Sequence, residues 1–123
     1  MIVVTTPQPA AQKVAQRAAY MAEKVNVSVN GVVENMSWFT GEDGTRYQLF
    51  GEGGGQELAE QLGVPLLGRV PLIPALREGA DTGNPVAADP STESGKVFEE
   101  LARAVDEDLK PTRRSHPELN LLG

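Results

Sequence analysis

Few residues in this chain have the type and spacing that chemistry requires. The first is Asn35, at the polar end of Gly31-Val32-Val33-Glu34-Asn35-Met36-Ser37. Its amide carries one acceptor and two donors on a single plane. Those edges match the donor and acceptor on the outer edge of an adenine. Asn is also a common turn residue, so spacing alone leaves a turn cap and a base contact both open. The second candidate is Gly51-Glu52-Gly53-Gly54-Gly55-Gln56, which has the look of a phosphate loop. A P-loop needs Gly, four residues and then Gly-Lys-Ser/Thr, because the lysine and hydroxyl reach the terminal phosphates and Mg²⁺. No such ending follows, and Gln56 stands where a dinucleotide fingerprint places its third glycine. The run therefore reads as a flexible entry to a helix over Gln56–Leu62, whose N-terminus is at most a weak anion site. Asp81 and Asn84 offer two oxygens in a Gly/Pro loop, far short of a calcium cage, and read as a turn. His116, the only histidine, lies in a polar tail with nothing to hold it as a general base.

The elements that must position these residues follow from the apolar pattern. Ile2-Val3-Val4-Thr5-Thr6, Val32-Val33 and Leu66-Leu67-Gly68-Arg69-Val70 are short and continuously apolar rather than alternating, as in parallel strands covered on both faces. Ligands of such sheets sit outside the carboxyl ends of the strands, where Asn35 lies. Between the first two strands, Ala11, Val14, Ala15, Ala18, Met21, Ala22 and Val25 follow helical spacing, and Pro9 suits the first turn. Strand, helix, strand is a βαβ unit. Trp38 to Phe50 reads as a small hairpin turning at Asp43-Gly44, with aromatics on both sides. A short helical turn over Ala75–Glu78 is followed by a loop from Gly79 to Ala88. A last helix is expected from Asp89-Pro90 to Leu109, and the tail 110–123 is expected to be disordered.

The fold class is thus α/β, a parallel sheet of about three strands with flanking helices. Sequential crossovers put the connecting elements on one face, yet the strands are apolar on both. An exposed Val or Leu forfeits roughly 1.5–3 kcal/mol relative to burial. The expectation is that something outside this chain, or a second copy, covers the far face, and that residues 1–109 are half of a larger domain.

Composition narrows the partners. A net charge of −6 argues against nucleic acid or an anionic membrane as the main partner. The absence of cysteine rules out disulfides and thiolate metal ligation from this chain. No apolar run approaches the ~20 residues of a membrane span. The first residues carry no charged leader or long apolar region, so a cytoplasmic location is expected.

Val4-Thr5-Thr6-Pro7-Gln8, Glu34-Asn35-Met36-Ser37, Phe50-Gly51-Glu52-Gly53-Gly54-Gly55, Leu66 to Leu72 and Arg77 to Pro85 occur in that order. Together they resemble the Mrp/ApbC group of P-loop ATPases, in the wider MinD/ParA superfamily, over about residues 1–109. The resemblance implies the carboxyl-terminal half of a cytoplasmic, dimeric ATPase that binds ATP with Mg²⁺ and carries iron–sulfur clusters to apoproteins. It implies that Asn35 contacts the adenine and that Pro71 and Leu72 flank the base. It sets Thr5-Thr6-Pro7 nearer the phosphates, with no committed role.

Two departures qualify it. The phosphate loop of the family lies in an amino half with no counterpart here, and without its donors and the metal there is no phosphoryl transfer. Many members also carry Cys-x-x-Cys where this chain has Thr40-Gly41-Glu42-Asp43, and hydroxyl and carboxylate are hard ligands, poor for an iron–sulfur centre. These departures keep a second reading open, a non-catalytic interaction module that pairs with a complete ATPase. A MinD-like positioning ATPase fits less well, because no basic amphipathic membrane helix is seen at the carboxyl end.

Overall fold

The computed structural model describes residues 1–109; the expected disordered tail over 110–123 lies outside them. Three parallel strands carry the architecture: β1 (Ile2–Thr5), β2 (Gly31–Asn35) and β5 (Leu66–Val70), side by side in the order β1-β2-β5. Helix α1 (Pro9–Lys24) joins β1 to β2, with Pro at its amino end as expected. A two-stranded hairpin, β3 (Phe39–Thr40) and β4 (Arg46–Tyr47), and helix α2 (Gly54–Leu62) fill the connection from β2 to β5. Helix α3 (Pro74–Thr82), a 3-10 turn (Val86–Ala88) and helix α4 (Glu93–Asp108) follow.

The sheet has two apolar faces, as its strand composition requires. On one, α1 and α2 bury Val3, Val32, Ala15, Ala19, Leu58 and Ala59. The alanines of α1 remove side-chain bulk, which lets the helix sit close to the strands. On the other, Val33, Leu67 and Val70 pack against Val97, Phe98, Leu101 and Val105 of α4. This corrects the expectation that the second face needs a cover from outside. The chain clothes it itself over β2 and β5, because α4 crosses to the side opposite α1 and α2. Among the described residues nothing covers the β1 end: Val4, 61% exposed, and Ile2 lie where α4 does not reach. A register shift between Val32 and Val33 lets Leu67 swing over Gly31, where a side chain would collide with it.

Several boundaries differ from those read in the sequence. The hairpin closes with a three-residue loop rather than the two-residue turn at Asp43-Gly44: Gly41 N–H donates to the Thr45 carbonyl, and Gly44 sits at φ 77°. A turn followed by one left-handed residue is the usual three-residue solution. Helix α3 runs to Thr82, well past Glu78, because Gly79 is a packing residue and not a breaker. A Cβ there would fall 2.6 Å from the Asn84 carbonyl. Helix α4 starts later than Asp89, capped by the Thr92 hydroxyl accepting from Gly95 N–H at 2.9 Å. Asp89 instead orders the preceding turn, accepting from the backbone N–H and hydroxyl of Ser91.

Candidate functional site

The carboxyl ends of β2 and β5 open into a cleft of about 430 Å³. Asn35, Pro71 and Leu72, the three residues singled out from the sequence, all line it. Two backbone bonds extend the β2–β5 pairing beyond the strands and hold the lips together. Ser37 N–H donates to the Val70 carbonyl at 3.0 Å, and Leu72 N–H to the Trp38 carbonyl at 2.7 Å. Leu76, Val86 and Phe98 make the floor and far wall apolar. A flat, weakly polar ligand with hydrogen-bonding edges suits such a lining.

Asn35 is exposed at the mouth. Its Oδ1 accepts from Met36 N–H at 2.9 Å. The amide therefore does close the local turn, which leaves its N–H donors and the second lone pair of Oδ1 for a ligand. Met36 stands at φ 54°, a left-handed conformation that costs a non-glycine residue of order 1–3 kcal/mol. Ser37 offsets that cost, its hydroxyl lying 2.8 Å from Glu34 Oε1 and 3.1 Å from the Glu34 carbonyl.

Glu34 is the residue that sequence reading passed over. It is only 2% exposed, and its side chain points to the α2 side of the sheet, away from the cleft. Its Oε2 accepts from Gly55 N–H at 2.6 Å, and Arg69 Nε lies 3.8 Å from Oε1. A carboxylate at a helix N-terminus is stabilised by the helix dipole and by otherwise unpaired N–H groups. The glycine run is thus no flexible entry. Gly54 and Gly55 are buried in the first turn of α2, two residues earlier than expected. A Cβ on Gly55 would fall 2.6 Å from Glu34 Cβ, and one on Gly54 would strike Gln12 and the Pro7 carbonyl. The anion at this N-terminus is the chain's own. The sequence did hold a signal, a lone acid breaking an apolar strand with a glycine run 21 residues on from it.

Arg77 is the second addition. Among the described residues it is the one charged residue lining the cleft, and its Nε lies 3.4 Å from Asp81 Oδ2 across one helical turn. Asp81 is therefore an ion-pair partner on the surface. Thr5 and Thr6 line a separate groove of about 440 Å³ beside β1, which Asn35 also borders. Thr5 is buried, and the Thr6 hydroxyl lies 3.3 Å from Gln8 Oε1. Beyond the cleft, Arg46 lies over the Trp38 ring at 4.4 Å from its centroid, a cation–π contact at the base of the hairpin.

A parallel sheet with a cleft beyond its carboxyl strand ends is the architecture of part of an open α/β domain. A family model described as "ParA: NUBPL iron-transfer P-loop NTPase" matches residues 1–106, and the chain belongs to that family. An iron–sulfur cluster carrier protein of Mycobacterium leprae is 47% identical over 112 residues, which cover 86% of this chain and 29% of the relative. One of Pyrococcus furiosus is 41% identical over 110 residues, covering 89% of this chain and 37% of the relative. The chain thus spans roughly a third of the length of these curated relatives. A nucleotide-binding protein of Archaeoglobus fulgidus, solved in complex with ADP, superposes with a TM-score of 0.61 at 31% identity, over 79% of this chain and 40% of that one. The cell division ATPase MinD of Pyrococcus furiosus superposes with a TM-score of 0.65 at 23% identity, over 86% of this chain and 41% of that one, and shares the fold.

Proposed function

We propose that this chain is the carboxyl-terminal part of an ATP-binding iron–sulfur cluster carrier and supplies the base side of its nucleotide site. The carrying observation is the convergence of Asn35, Pro71 and Leu72 on one apolar cleft at the carboxyl edge of the sheet. In this reading the Asn35 amide pairs with the adenine edge while Pro71 and Leu72 hold the ring by apolar contact. Arg77, at the rim, adds a cation near the base.

The fit is good for the base and poor for the phosphates. No glycine–lysine loop is present in the sequence, and the one glycine-rich helix N-terminus is filled by Glu34. Mg²⁺ supplies charge neutralisation between phosphate oxygens when bound. Among the described residues no three acidic or histidine side chains converge to hold it. The phosphate loop and metal ligands therefore come, in this proposal, from a second segment, and this chain alone does not hydrolyse ATP. The cluster is cargo, and a chain without cysteine offers it no thiolate. Any cluster is held by ligands elsewhere in a longer protein. Homodimerisation, delivery to apoproteins and a cytoplasmic location belong to the same proposal. No helix among the described residues is long and apolar enough to cross a membrane.

A second reading, a non-catalytic module that pairs with a complete ATPase, is favoured by one feature. Where relatives by resemblance have cysteines, this chain builds the Trp38–Arg46 hairpin. The two readings separate in an ATP titration of the 123-residue chain followed by NMR. Base binding is weak and shifts the Asn35 side-chain amide and Leu72 N–H. Absence of any response at millimolar ATP, with capture of an intact ATPase instead, would favour the module.

A further inference from the structure

We propose that Glu34 is the positioning residue of the base cleft: although it faces the opposite side of the sheet, it sets the conformation in which Asn35 meets a ligand. Glu34 immediately precedes Asn35, and its carboxylate receives two donors from different parts of the chain. Ser37, three residues on, returns its hydroxyl to Oε1 at 2.8 Å, which closes the Glu34–Ser37 turn. Gly55 N–H, at the start of α2, meets Oε2 at 2.6 Å. Between them the chain runs through Met36 at φ 54°, one of two non-glycine residues with positive φ among those described. Such a backbone persists where its surroundings over-determine it. Here the surroundings are one buried carboxylate, the Asn35 Oδ1–Met36 N–H bond and the bond from Ser37 N–H to the Val70 carbonyl. The cleft lip is therefore anchored from behind, by α2, through a residue that does not line the cleft.

The geometry also explains the paired glycines. Gly55 must lack a Cβ for the carboxylate to reach the N-terminus of α2. The same carboxylate holds both ends of the excursion that carries the hairpin, Ser37 at its entry and the glycine turn at its exit. Lip, hairpin base and α2 thus share one fixed point.

The test uses the whole chain and two variants that alter neither Glu34 nor any residue lining the cleft. Gly55→Ala displaces the carboxylate, and Ser37→Ala removes one of its donors without adding bulk. Thr92→Ala, which uncaps α4 and removes no bond to Glu34, Ser37 or Gly55, controls for general loss of stability. The first arm needs no ligand. The ³J coupling and Cβ shift of Met36 report its left-handed backbone, and both Gly55→Ala and Ser37→Ala lose that signature while Thr92→Ala keeps it. An unchanged Met36 in the two variants, or an equal change in the control, overturns the proposal. The second arm rests on the base-cleft reading above: adenosine, followed through the Asn35 amide resonance, binds at least tenfold more weakly to the two variants than to the wild type and the control. If Met36 moves but the affinity does not, Glu34 shapes the turn without positioning Asn35 and the proposal fails. If the wild type binds no adenosine, the base-cleft reading falls, and the first arm still decides what Glu34 holds. Ser37→Ala, the milder change, keeps the test open if Gly55→Ala does not fold.

Discussion

Asn35 performs one task that the structure shows and another that its placement proposes, and a single substitution divides them. Its Oδ1 closes the turn onto Met36 N–H, and the residue lines the cleft. Asn35→Asp retains the acceptor and removes the donors. We expect Asn35→Asp to leave the urea midpoint within error of wild type. Adenine-nucleotide affinity should fall roughly 10–100-fold, the ~1–3 kcal/mol of a bidentate base pair. Calorimetry on a form that carries the phosphate side measures it, and equal binding by the two proteins would remove Asn35 from the base contact. Asn35 stands out by its type at the end of an apolar strand, whereas Pro71 and Leu72 enter only through the family resemblance; the structure sets all three along one cleft. Glu34 does not stand out. In a run of valines an acid reads as a residue reaching solvent, and its partner Gly55 comes 21 residues later, beyond any local pattern.

Elements show the same division. The three strands and α1 emerge from the sequence almost to the residue, since β-branched runs and alanine periodicity are local signals. Boundaries shifted where glycine serves packing instead of breaking: Gly54 and Gly55 lie inside α2, and Gly79 lies inside α3. Which face α4 covers could not be read at all, because helical periodicity identifies an apolar stripe but not the surface it meets. The order of the hairpin depends on an exposed charge. Thr45 N–H, 3.1 Å from Asp43 Oδ1, and the Tyr47 hydroxyl, 3.2 Å from Oδ2, hold the Asp43 carboxyl below its ordinary 3.8. A carboxyl depressed on folding contributes stability that is present above its unfolded value and lost as pH falls through the folded one. Cross-strand contacts between Phe39 and Tyr47 should therefore be constant at neutral pH and weaken as the pH drops below about 3.8. In Asp43→Asn, which keeps the acceptor but not the charge, they should show no such step. NMR cross-peaks against pH decide it, and a step that survives in Asp43→Asn assigns the titration elsewhere.

At the scale of the whole molecule, one edge of the sheet determines what this chain can be. Among the described residues, strand β1 pairs with β2 on one side only, and no strand lies along its other edge. Val4 and Val14, 61% and 66% exposed, both line the groove beside it. A bare strand edge next to an apolar stripe is a liability in a finished domain and a docking surface in an unfinished one. Asn35 borders the groove along this edge as well as the base cleft. A strand added there would bring its carboxyl end, and any phosphate loop following it, beside the base. Co-expression with the part of the Mycobacterium leprae relative that this chain does not match should therefore give a one-to-one complex that binds ATP more tightly than either part. Val4→Lys together with Val14→Glu should abolish that complex. The same pair should leave the circular dichroism of the isolated chain unchanged, because both side chains are already in water. Complex formation that survives both charges would place the phosphate side against some other surface, and the continuation of the sheet through β1 would have to be given up.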